Sequence, residues 1–458
     1  MKSRRRGLLA ATTVTLATTL ALAACAPGTG TGDETASPGA TDAEVSTDLA
    51  ALGEVTLTVW DQETRGGQDE QMAQLNAAFE EAYPNISINR NSQSFDDLET
   101  TLRGALTGND APDVVQANNS RGTMGAFVSA GLLRDLEPYA EAYGWADRFS
   151  EDVLAVSRYS PDGVTFGSGS LYGLPQVGEV VGVFYSRSAL EPIATEDELR
   201  SADWETFTGM LADAADAGLT PVQLGNIEGW PAGHVFGPIQ AQHVPAEDIR
   251  ALATGNEGAS WTSEGNMAAA AELIEWSEAG YFNEGPNGTD YDAAWSAFAE
   301  GDGVFLIGGS WLAADLEAAM GDDVGFVVPT TADGTAATTG GTGLPFAVTE
   351  QSPNADAAAG YIDFITSDEA MEVLAETGNM PVNRTAELAP ESGVNADIYA
   401  AFGAVSEEGE LLPYLDWATP TMGDTLGATL QDLIGGQADP EQAMSTLEED
   451  YSAFVSEG

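Results

Sequence analysis

Apolar and polar positions along the chain follow two periods, and the switching between them predicts strands and helices in regular succession. Val55, Leu57 and Val59 alternate with Thr56 and Thr58, predicting a strand that ends in Trp60-Asp61-Gln62. Met72, Leu75, Phe79 and Tyr83 then recur at helical spacing over residues 68–83, and Pro84 stops that helix. A strand over 86–89, a helix over about 96–106 and a buried strand over 113–117 ending at Asn118-Asn119 continue the series. Strand and helix alternate, so this part is expected to be an α/β unit with a largely parallel sheet.

Further along, the turn-rich stretch Gly169-Ser170-Leu171-Tyr172-Gly173-Leu174-Pro175 leads into an apolar, β-prone run over 180–185. Helical patterns follow over 204–217, 266–279 and 291–300, then a strand over 304–307 and Gly308-Gly309-Ser310-Trp311. In open α/β sheets ligands lie beyond the carboxyl ends of the strands. That gives Trp60, Asp61, Asn118 and Asn119 one expected neighbourhood on a cleft wall.

The first residues do not fit this pattern. Lys2, Arg4, Arg5 and Arg6 precede an apolar, Thr-rich run over 8–24 and the small-residue string Leu22-Ala23-Ala24-Cys25, the order of a secretory signal. The run is short and Thr-rich for a membrane span, which takes about 20 apolar residues. The string resembles the bacterial lipobox, which implies cleavage before Cys25 and a diacylglyceryl thioether on its sulfur. Residues 1–24 are thus expected to be a signal peptide. Residues 25–53, rich in Gly, Thr, Ala, Ser, Asp and Glu, are expected to be a lipidated flexible tether, too poor in large apolar groups to fold alone. Cys25 is the sole cysteine, which excludes disulfides within the chain and cysteine metal clusters. The remaining roughly 400 residues exceed one ordinary core and suggest two lobes.

Net charge is −58, and removal of residues 1–24, which carry four basic and no acidic residues, lowers it to −62. No lysine then remains. Such a surface repels nucleic acid and anionic lipid, and its even spread suits solubility better than one cation site.

Several short strings together resemble extracellular solute-binding proteins of the maltose-binding-protein class, the binding components of sugar ABC importers. They are Pro112-Asp113-Val114, Leu171-Tyr172-Gly173-Leu174-Pro175 with Phe184-Tyr185, and Ala297-Phe298-Ala299-Glu300-Gly301 leading to Gly308-Gly309-Ser310-Trp311. Gly340-Gly341-Thr342-Gly343, Ser352-Pro353-Asn354 and Asn379-Met380-Pro381-Val382 follow. Each recurs by chance, but their order and spacing cover nearly all of residues 55–458. The resemblance implies two α/β lobes with ligand in the cleft between them, and crossings near 175–182, 327–331 and 366–371. It puts 55–175 with 330–368 in an N-lobe and 180–328 with 369–458 in a C-lobe. It also implies a monomer without cofactor, tethered outside the cytoplasmic membrane, that passes a carbohydrate to the transmembrane subunits of an ABC permease.

A sugar ring offers an apolar C–H face and a rim of hydroxyls, so a binder needs aromatic faces beside hydrogen-bonding side chains. Trp60-Asp61, Glu228-Gly229-Trp230, Ser310-Trp311 and Asp416-Trp417 have that composition in expected loops, and Asn118 and Asn119 add amides. The resemblance implies a stacking role for Trp311 after the Gly-rich strand end, with core packing as its ordinary alternative. Gly225-Asn226-Ile227-Glu228-Gly229-Trp230-Pro231 resembles the corresponding stretch of raffinose and other α-galactoside binders. Asp61 and Asn118 equally suit capping of the next helix or turn. Trp204, Trp276 and Trp295 fall in amphipathic helices and are expected in the core. Gly340-Gly341-Thr342-Gly343 lacks the Lys-Ser/Thr of a phosphate cradle, so Gly341 and Thr342 are expected near ligand or hinge. His234 and His243 match no short metal pair and read as ordinary structural residues, although His234 lies near Trp230.

Two other functions are open to the sequence. A secreted glycoside hydrolase would need two carboxylates about 5–10 Å apart, a condition that 73 acidic residues make uninformative. No Gly-x-Ser-x-Gly or His-Glu-x-x-His string occurs. The same fold could instead take a polyamine or other cation, since tryptophan also stacks on cations. The loop tryptophans beside neutral amides favour sugar.

Overall fold

The computed structural model describes residues 45–108 and 111–457. The expected signal peptide, Cys25 and the expected tether as far as residue 44 lie outside the described residues. The remainder of that expected tether is packed instead of free: Leu49 is buried in a core with Phe79 and Ile362, and Asn85 Nδ2 donates to the Leu49 and Leu52 carbonyls. In chain order the strands are β1 (Val55–Asp61), β2 (Ile86–Ser92), β3 (Val114–Gln116), β4 (Arg158–Tyr159), β5 (Ser170–Leu171) and β6 (Gly178–Ser186). They continue with β7 (Val222–Gln223), β8 (Phe305–Gly309), β9 (Val324–Val327), β10 (Ala337–Thr342), β11 (Phe346–Val348) and β12 (Glu410–Leu412).

A first sheet has the order β11-β3-β1-β2. β1 runs parallel to both β2 and β3, and β11 returns antiparallel beside β3. The alternation that predicts β1 has a packing consequence. Leu57, Val59 and Val114 face a core with Met72, Leu75 and Phe79 of the helix Gly66–Ala82. Val115 and Ala117 face another, with Leu102 and Leu106 of the helix Phe95–Leu106 and with Phe127. A sheet covered on both faces gains about 1.5–3 kcal/mol for each large apolar side chain it buries.

A second sheet has the order β12-β10-β6-β8-β7, with β9 also paired to β6. Every residue of β6 is buried. Val180 and Phe184 enter one core, while Val181, Val183 and Tyr185 enter the other. Trp204 and Trp276 pack in this lobe as the helical spacing predicts, and Trp295 is partly buried against it.

The two sheets, each with its own cores, give the two-lobed α/β architecture. The chain passes from the first sheet's packing to the second between Leu174 and Gly178. It returns between Thr342 in β10 and Phe346 in β11, not at the expected 327–331. The Thr- and Gly-rich stretch 337–342 looks like a loop in sequence, but its backbone pairs with β6 and β12 and keeps it in the second lobe. The third crossing also moves beyond the expected 366–371. The helix Asp368–Glu376 packs Ala370, Met371 and Leu374 into the first lobe, and Met380 is the next residue in a second-lobe core.

Two strings 240 residues apart meet here. Asp113 accepts hydrogen bonds from Ser352 Oγ (2.6 Å), Asn354 Nδ2 (3.2 Å) and the Thr58 amide (2.9 Å), tying β1, β3 and the segment after β11 together. Among the described residues, no helix is long and apolar enough to cross a membrane.

Candidate functional site

A cavity of about 690 Å³ lies between the lobes, beyond the carboxyl ends of β1 and β3. From the first lobe, Gln62, Arg65 and Gln68 reach it after β1, Phe95, Asp96, Glu99 and Arg103 from the helix Phe95–Leu106, and Asn118 to Ser120 after β3. From the second come Glu228 and Trp230 before the helix Pro231–His243, His234 within it, Trp311 after β8, and Tyr414, Asp416 and Trp417 after β12. Glu179 of β6 and Thr339 and Thr342 of β10 form the floor where the chain crosses.

The second-lobe rings support one another. His234 lies 5.3 Å from Trp230, 5.2 Å from Trp311 and 5.8 Å from Tyr414 between ring centroids, and Tyr414 lies 5.4 Å from Trp417. Trp311 Nε1 donates to Tyr291 Oη at 2.8 Å, which fixes the indole. Its sequence setting explains its pose, because a Cβ on Gly309 would fall 1.9 Å from Trp311 Cζ3. Only glycine leaves room for the folded-back ring.

Contacts join the lobes at several places. Arg65 Nη2 pairs with Asp292 Oδ1 at 2.9 Å, and Phe95 meets Trp230 edge-on at 5.9 Å. Buried Arg121 donates through Nη1 to the carbonyls of Trp417 (3.2 Å) and Ala418 (3.0 Å).

Burial sets the electrostatics. Glu179, 8 % exposed, accepts the Tyr414 hydroxyl at 2.9 Å, and burial lifts its carboxyl to about 7. Burial likewise lifts Glu99 to about 7, although the Thr123 hydroxyl donates to it and lowers it, and lifts Asp416 to about 6. Burial pushes His234 down to about 4, so it is neutral at pH 7.

Eight of the twelve expected residues line the cavity: Asn118, Asn119, Glu228, Trp230, Trp311, Thr342, Asp416 and Trp417. Trp60, Asp61, Ser310 and Gly341 do not. Trp60 and Asp61 are β1 residues paired with Asn91 and Ser92. The Trp60 ring packs on the first lobe. Asp61 is fully buried and accepts Arg90 Nε (2.7 Å), Arg90 Nη2 (2.8 Å) and the Glu63 amide (3.0 Å). It braces the turn that carries Gln62 and Arg65 instead of reaching into the cleft. Ser310 Oγ is taken by the Val180 amide, and Gly341 lies in β10 opposite Glu179. Asn119 lines the cavity, yet its Nδ2 donates to the Val156 carbonyl.

Glu179, His234, Tyr414 and Glu99 line the cavity without having been singled out as site residues. Glu179 carries a signal, an acid directly before an apolar strand run. His234 stands four residues after Trp230, one helical turn away. Glu99 reads as the polar face of an amphipathic helix, and Tyr414 carries no signal.

Residues 61–372 match the family described as bacterial extracellular solute-binding protein. No curated protein matches the chain. Among solved structures, a chitin oligosaccharide binding protein is 19% identical at a TM-score of 0.74, covering 88% of this chain and 99% of its own. A binding protein in complex with raffinose is 16% identical at 0.69, over 87% and 99%. An ABC substrate-binding protein from Listeria monocytogenes in complex with cycloalternan is 17% identical at 0.70, over 88% and 99%. At such identities the likeness is one of fold.

Proposed function

We propose, for a chain that belongs to the bacterial extracellular solute-binding proteins, that the cleft takes up a carbohydrate of oligosaccharide length and presents it to an ABC permease. One observation carries this reading: Trp230, Trp311, Tyr414 and Trp417 line one cavity with the amides and carboxylates of the opposite lobe. Rings stack on sugar C–H faces while polar groups reach hydroxyls. The cavity volume falls within the roughly 300–1,000 Å³ of small-molecule sites. The structural relatives that bind chitin oligosaccharide, raffinose and cycloalternan support a sugar over a polyamine.

The protein acts as a monomer by binding and release. Calorimetry against α-galactosides, maltodextrins, xylo-oligosaccharides and polyamines, with tryptophan fluorescence, tests this. Saturable sugar binding with quenching and no product is expected. Release of a cleaved product would overturn the binding-only reading.

In this proposal Cys25 carries the lipid and the stretch from 25 to 44 gives the lobes reach toward the permease, since Leu49 is already held in a core of the fold. A diacyl anchor suits the task because one acyl chain holds a protein only marginally. Cys25→Ser should release the protein into the medium with sugar affinity unchanged, read by fractionation and calorimetry.

A further inference from the structure

Resting on the carbohydrate reading and narrowing it, we propose that the ligand is a sugar bearing a protonated amine, held at Glu179 on the cleft floor with Glu99 and Asp416 contributing from opposite lobes. The charges lining the cavity are unbalanced. Asp96, Glu99, Glu179, Glu228, Asp416 and Asp424 line it, against Arg65 and Arg103. Both guanidinium groups are already engaged. Arg65 pairs with Asp292, and Arg103 donates to the Gly122 carbonyl at 3.2 Å with its Cζ 5.6 Å from the Phe127 ring.

Glu179 is the sharpest case. It is 8 % exposed, and among the described residues Tyr414 is its one side-chain hydrogen-bond donor. A buried carboxylate without a cation is costly, and a cationic ligand removes that cost on binding. An independent observation points the same way. Thr342 is 6 % exposed, lies on β10 one pair away from Glu179, and lines the cavity with an Oγ1 that has no partner among the described residues. Gln68, 5 % exposed, lines it with an Oε1 equally without a partner. An ammonium group brings three donors and no acceptor, which suits unmatched oxygens. The cleft rings accept either a sugar face or a cation, so they fit both parts of the ligand.

The test is calorimetry on the purified full chain with matched trisaccharides that differ only in a free amine, an N-acetyl group or a hydroxyl at one carbon, with spermidine as a separate arm. The amine form should bind about tenfold or more tighter than its two counterparts. Glu179→Gln should bring that ratio below about threefold, and an unchanged ratio would overturn the placement of the amine at Glu179. If Glu179→Gln does not fold, Asp416→Asn should narrow the ratio, and the wild-type ratio decides on its own. Neutral forms binding as tightly as the amine would overturn this proposal and leave the carbohydrate reading standing. Spermidine binding without sugar binding, or no binding by any sugar of the set, would overturn the carbohydrate reading and this proposal with it.

Discussion

Where the first lobe meets the cleft with the amides, carboxylates and guanidinium groups of Gln62, Arg65, Gln68, Asp96, Glu99 and Arg103, the second meets it with the rings of Trp230, His234, Trp311, Tyr414 and Trp417. The rings pack on one another within one lobe, so their arrangement does not need the other lobe in place. The polar wall comes from a post-strand turn and a helix, and it reaches the rings through contacts between lobes such as Phe95 on Trp230. On the proposed reading, the second lobe offers a preorganised stacking surface with the carboxyls of Glu179 and Asp416 beside it, and the first adds Gln68, Glu99 and its other polar groups as the lobes close.

The largest test of that division is Trp311→Ala. Removing a half-buried indole from the stacking wall should weaken sugar binding by about 2–3 kcal/mol, roughly 30- to 150-fold, in a titration. A lower melting temperature with unchanged affinity would reassign Trp311 to packing and erase the contrast between walls.

A second test uses pH on the unliganded protein. Burial raises Glu63, Glu99 and Glu179 to about 7 and Asp416 to about 6. Each binds its proton more tightly folded than unfolded. Their contribution to stability is therefore fully present below the unfolded values near 4, and is lost as pH rises through about 6 to 7. His234, lowered to about 4, acts oppositely and loses its contribution as pH falls from about 6.5. Four acids against one histidine predict a melting temperature that falls between about pH 5.5 and 7.5. A Glu179→Gln chain should show a shallower fall, and an equal slope would mean that Glu179 does not contribute.

The smallest expected effect belongs to the polar wall. Gln68→Ala deletes a buried acceptor that has no partner among the described residues, so stability should hold or rise slightly while affinity drops about fivefold, near 1 kcal/mol. Lost stability with unchanged affinity would place Gln68 in the fold and not in the wall.

Much of the fold was legible because its causes are local. The alternation at 55–59 and the spacing of Met72, Leu75 and Phe79 each arise from a single element, and both elements form. The β10 strand was not legible, since Ala337 to Thr342 has the composition of a loop and becomes a strand by pairing with β6 and β12. The site divides in the same way. Trp230 and Trp311 could be proposed from glycine-flanked, polar settings, whereas Tyr414 and Glu99 enter only because separate segments converge.

By itself, then, the sequence determined the alternation of strand and helix, the order of the family's strings, the acidic charge and the candidacy of Cys25, because these depend on residue type and spacing alone. Tertiary structure decided which polar atoms remain free to meet a ligand. Asp61 is taken by Arg90, 29 residues away, Asn119 by the Val156 carbonyl and Ser310 by the Val180 amide. Among the described residues, Thr342 and Gln68 keep unmatched oxygens at the cavity. A hydrogen bond depends on distance in space, and spacing along the chain does not encode which distant group arrives first.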